Sequence, residues 1–134
     1  MDITQLEKNI SRLAAKQGYH PLIVSEEGLE KEIKRYPVAW IQLPLVLYVE
    51  GRDEGVICHQ ITVALLDNYS RHSFEDKSNR LAQMQADMVD IMTRLSSCEG
   101  IVELDAMTIT PRVTHTTRHG DVAQICQASV VSYF

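Results

Sequence analysis

The 134-residue sequence holds no apolar run approaching the roughly 18 residues that a membrane-spanning helix needs. Its densest stretch, Val38 to Val49, is broken by Gln42 and Pro44. The first residues, Asp2-Ile3-Thr4-Gln5-Leu6-Glu7, have neither a basic region nor an apolar one, so no secretory signal is expected there. Cysteines are few and scattered. Cys58, Cys98 and Cys126 form no CxxC and no repeated spacing, which argues against a disulfide framework and for synthesis in a reducing compartment. None of the six glycines builds GxGxxG or a P-loop, so the phosphate cradles of nucleotide enzymes are missing. Ser129 and Ser132 have no nucleophile elbow around them. Positive charge is also in short supply. Thirteen Lys and Arg against eighteen Asp and Glu leave a net charge of −5, the wrong sign for broad salt-driven binding to nucleic acid.

What is present is an ordinary core. The chain is 45% hydrophobic, enough to fold and too short for two full domains, so one domain over residues 1–134 is expected. Ile3, Leu6, Ile10, Leu13 and Ala14 recur at helical spacing, with Asp2 and Gln5 as a capping box and Gly18 as the stop. A short apolar run, Leu22 to Val24, precedes a weaker helix from Ser25 that Pro37 closes. Two strand runs flank Pro44, and Gly51 to Gly55 reads as a hairpin loop leading into a strand from Val56 to Asp67. In that strand Ile57, His59, Ile61, Val63 and Leu65 take one face, and Cys58, Gln60, Thr62, Ala64 and Leu66 the other. Both faces are partly apolar, which predicts a central position. Ser73 is the predicted cap of the longest helix, with Asp76 at the capping-box position. That helix carries a stripe of Phe74, Leu81, Met84, Met88, Ile91 and Leu95. Three strands are predicted after Gly100, from 101 to 110, 112 to 118 and 122 to 134, separated by Pro111 and by a turn at His119-Gly120-Asp121. The fold class is therefore α+β: a mostly antiparallel sheet packed against one long helix, with an N-terminal helix and a C-terminal β-meander.

Candidate chemistry is thin. His115 and His119 stand four apart, and Asp121 could join them around a metal, although a solvated hairpin tip is the plainer reading. Cys58 and His59 are adjacent, but neighbours on a strand point to opposite faces, so they do not form a nucleophile–base pair. His59 reads as a satisfied core or interface histidine. Asp87 with Asp90, and Glu103 with Asp105, are carboxylate pairs placed where solvated faces are expected. Met84, Met88 and Met92 read as core. No catalytic residue, metal or cofactor is assigned. The mildly basic last hairpin is a candidate docking surface.

The order of elements resembles the small phage tail proteins of the tail-terminator or tail-completion class, also found in prophages. The resemblance is carried by the amphipathic first helix and the hairpin at Gly51-Arg52-Asp53-Glu54-Gly55. It continues through Gly55 to Asp67 leading into the long helix, and through Ile101 to Phe134 with its turn at Gly120. It implies a structural role: a ring, usually hexameric, that ends the tail tube and joins it to the head connector. The implied partners are copies of itself, tube and connector proteins, with no membrane and no specific nucleic-acid binding. The implied location is the bacterial host cytoplasm and then the virion tail. An acidic lumen would not grip passing DNA. Loop and hairpin position alone suggests Arg52, Asp53, Arg112, Arg118 and His119 as subunit contacts. The rival expectation is a small ligand-binding or regulatory α+β domain that dimerises through its sheet.

Overall fold

The computed structural model describes residues 1–42, 46–48, 56–68, 74–114 and 121–133. The predicted hairpin loop at 51–55, the Ser73 cap and the turn at 119–120 lie outside them.

Helix α1 spans Ile3–Lys16, and its start is the predicted capping box: the Asp2 side chain accepts from the Gln5 N–H at 2.8 Å. Leu6, Ile10, Leu13 and Ala14 are buried, whereas Ile3 is exposed. Gly18 stands just beyond, at φ +89°, a conformation that other residues adopt at a cost of about 1 kcal/mol.

One six-stranded sheet follows, built from β1 (His20–Val24), β2 (Val38–Gln42), β3 (Val46–Tyr48), β4 (Val56–Asn68), β5 (Ile101–Thr114) and β6 (Asp121–Tyr133). The order is β1-β2-β4-β6-β5, and β3 pairs with β4 beyond the end of β2. Helix α2, Glu26–Glu32, connects β1 to β2, which are the one parallel pair among the described residues. The other pairings are antiparallel. β4 is central, as its two apolar faces predict.

The alternation along β4 sorts the core into two layers. Ile61, Val63 and Leu65 lie under α1 and under α3 (Phe74–Ser96), with Met84, Met88, Ile91, Met92 and Leu95 buried above them. Two helices thus cover this face, not the one long helix expected. Ala64 and Leu66 face α2 on the other side, with Leu29, Val38, Trp40 and Ala123. The short α2 covers only the β1 end of that face.

The C-terminal third differs from expectation. Among the described residues it has two strands, because β5 runs unbroken through Pro111, which pairs with Gln124. β5 is the outer strand of the sheet, the position where a ladder tolerates a residue without an N–H. Two register shifts bend it, at Ile101/Glu103 and at Asp105/Thr108. At the second, Ala106 takes φ +51° and its N–H donates to Asp105 Oδ1 at 2.8 Å. Among the described residues, no helix is long and apolar enough to cross a membrane.

Candidate functional surface

Of the residues singled out by loop position, only Arg112 is among the described residues. Arg52, Asp53, Arg118 and His119 lie outside the described residues, as do His115 and His72. Arg112 is exposed on β5, beside Ala123 of β6. The described residues contain no group of three or more metal-ligating side chains. Cys58 and His59 are both buried and sit on opposite faces of β4. The buried Cys126 thiol is pushed up to about 11, the property of a core residue and not of a nucleophile.

The carboxylates Asp87 and Asp90, expected on a solvated face, are instead used in packing. Asp87 accepts from the Tyr19 hydroxyl at 2.7 Å and from Gln83 Nε2 at 3.0 Å. Asp90 accepts from Gln17 Nε2 and, at 3.0 Å, from Arg94 Nε. Together they clamp the end of α1 to α3. Burial, and then the bond to Asp87, push the Tyr19 phenol well above its ordinary range. Arg80 lies over the Tyr19 ring, 5.7 Å from its centroid, and bonds Asp67. These charged groups neutralise one another.

His59 is the buried polar residue that stands out. It is 2% exposed on the α1/α3 side, and its Nδ1 has no hydrogen-bond partner among the described residues. The histidine is in the core as expected, but one of its nitrogens is without a partner among the described residues. Ser132, diagonal to it on β6, also leaves its hydroxyl without a partner among the described residues. Burial first, and the positive amino terminus second, hold the His59 pKa below 6.5. The unfolded chain binds a proton near pH 6.5 while the folded one does not. Stability should therefore be complete above that pH and fall as the pH drops through the folded value, by up to about 1.4 kcal/mol per unit. His59→Gln should flatten this acid limb, measured as urea midpoints between pH 7.5 and 5.5. Parallel limbs in the two proteins would refute it.

Near this end of the sheet an open cleft of about 590 Å³ lies between α1 and the turn before β5, lined by Lys8, Arg12, Cys98, Glu99 and Tyr133. Its charged side chains are of both signs and are exposed, so they do not converge on one ligand.

The more distinctive surface is the β5 side of the molecule. Val102, Met107 and Val113 of β5 are 42%, 43% and 56% exposed, and Val89 on α3 is 44% exposed. A hollow of about 390 Å³ between α3 and β5 is lined by Met92, Thr93, Val102, Leu104 and Met107. On the opposite face a polar depression is lined by Gln60, Thr62, Thr108, Gln127 and Ser129, beyond the reach of α2. Sequence reasoning placed a candidate docking surface in the last hairpin and did not include Val102 and Glu103 in it. The signal was a strand with apolar residues at places where an outer strand should be polar. Reading it requires knowing that β5 is outermost. No protein-family model matches the chain, and no curated protein sequence does so.

Proposed function

We propose that this protein is a structural subunit that works by assembling with copies of itself, and that its assembly is the tail-terminating ring implied by the resemblance to phage tail proteins. In this reading it caps the tail tube, meets the head connector, and moves from the host cytoplasm into the virion tail. The observation that carries the self-assembly is β5: fourteen residues long, unpaired on its outer side among the described residues, and bearing three exposed apolar side chains. A long outer strand of this kind is a template for pairing with another chain unless something covers it. The net charge of −5 suits a lumen that phosphate must pass without sticking.

Light scattering coupled to size exclusion, from micromolar to near-millimolar protein, tests this. A hexamer is expected, and a monomer at every concentration would overturn it. The second reading, an α+β binding or regulatory domain that dimerises through its sheet, is favoured by the order of charges along β5. It expects a dimer in the same experiment.

A further inference from the structure

We infer that β5 pairs antiparallel with β5 of a second copy, about a twofold axis through Thr108. The inference deepens the second reading, the sheet dimer, and rests on it.

The strand is self-complementary when its places are counted along β6, which it already pairs. Thr108 stands opposite Gln127. Two places away on either side, opposite Ile125 and Ser129, stand Thr110 and Asp105. Four places away, opposite Ala123 and Val131, stand Arg112 and Glu103. Reversing the strand about Thr108 therefore sets Glu103 against Arg112 of the second copy, and Arg112 against its Glu103. Asp105 falls against Thr110. Among the described residues neither Glu103 nor Arg112 has a partner in its own chain, and both are exposed. The bulge at Ala106–Met107 makes this possible. It absorbs one residue, so that odd-numbered Glu103 and Asp105 share a face with even-numbered Thr108, Thr110 and Arg112.

The other face matches as well. Leu104 falls against Pro111 of the second copy, Met107 against Ile109, and the Ile101–Val102 bulge against Val113. Three of the exposed large apolar side chains thus meet apolar partners in one row, next to the hollow beneath α3. A twofold axis normal to the sheet keeps α1 and α3 of both copies on the same side and joins two sheets into one. Pairing β5 with β1 of a neighbour running antiparallel brings Arg112 toward the end of β1 where Arg35 sits, and Glu103 toward Glu26 and Glu27, like charge against like. Charge therefore favours the second copy's β5 as the occupant.

The test is a cysteine at the twofold. Opposite residues of an antiparallel pair lie about 4.5–5.5 Å apart between Cα atoms, within the range a disulfide spans. Thr108→Cys under mild oxidation should give a covalent dimer. Thr110→Cys, four places from its own copy, should give none, and neither should the wild type, whose Cys58 and Cys126 are buried and whose half-buried Cys98 precedes β5, far from the axis at Thr108. Both threonines are exposed, so the fold is retained and unfolding curves check it. Arg112→Glu should weaken association roughly tenfold, because two like-charge pairs replace two opposite ones. Glu103→Arg with Arg112→Glu should restore it. A hexamer in which the Thr108→Cys variant forms no cross-link and charge reversal has no effect would overturn the β5 pairing and leave the ring standing. A hexamer in which the Thr108→Cys variant cross-links would support the pairing as one contact within it. A protein monomeric at every concentration would overturn both.

Discussion

Replacing Trp40 by alanine should cost about 3–5 kcal/mol, the largest loss expected from any single change on the α2 side of the sheet. Trp40 is 9% exposed on β2, with Leu22 of β1 beside it on one side and Ala64 of β4 on the other. Ala64 and Ala123, both buried, leave room for the indole, and Leu29 brings α2 into the same cluster. The indole Nε1 donates to the Val24 carbonyl at 3.0 Å, which ties β1 to its neighbour through a side chain as well as through the ladder. A helix of seven residues does not hold its shape alone, so α2 depends on this packing. Against a total stability on the order of 5–15 kcal/mol, the loss would leave the β1-α2-β2 unit close to unfolding. Trp40→Phe keeps most of the apolar area and forfeits the hydrogen bond, so it should cost about 1–2 kcal/mol. Urea denaturation followed by circular dichroism measures both, since the chain has no other tryptophan to report by fluorescence. A loss below about 1 kcal/mol for Trp40→Ala would mean that α2 packs elsewhere.

Features whose cause lies within a few residues were legible beforehand. The Asp2–Gln5 capping box, the Gly18 stop, the Met84–Met88–Ile91–Leu95 stripe and the two faces of β4 all follow from local spacing, and the fold repeats them. The features that were misread depend on partners far away in sequence. Pro111 looks like a strand breaker until β5 is known to be outermost, where it costs little. Asp87 and Asp90 look solvated because Tyr19 and Gln17, their partners, are some seventy residues away. His59 reads as an ordinary core histidine, since no periodicity reports whether a partner reaches Nδ1. The candidate surface was half legible. Arg112 stood out by charge, whereas its counterpart Glu103 emerged only through the bulge that shifts the faces of β5. Self-complementarity of a strand is a property of register, and register is set by β6.

Arg80→Ala should cost about 2–3 kcal/mol, between the near-zero value of an exposed ion pair and the roughly 3–5 kcal/mol of a fully buried one. The Arg80 Nε donates to Asp67 Oδ2 at 2.7 Å, with the two side chains 23% and 16% exposed. Its guanidinium also covers the Tyr19 ring, whose hydroxyl reaches Asp87. One side chain therefore joins the end of β4, the turn after α1 and the middle of α3. Its removal takes the cation away from two carboxylates, Asp67 and Asp87, whose charges both act on it. Arg80→Lys keeps the charge but loses the planar stacking and the fork of donors, so it should recover only part of the loss. Partial burial makes the effect resistant to salt, and most of it should persist at about 1 M sodium chloride, where exposed pairs are screened. A double-mutant cycle with Tyr19→Phe should show a coupling of about 0.5–1 kcal/mol, because the Tyr19 hydroxyl binds Asp87, whose charge also acts on Arg80. Urea midpoints for the four proteins at low and high salt decide the matter. If Arg80→Ala changed stability by less than about 0.5 kcal/mol, or if its effect vanished in salt, the Arg80–Asp67 pair would behave as an exposed one and Arg80 would have no part in holding β4 to α3.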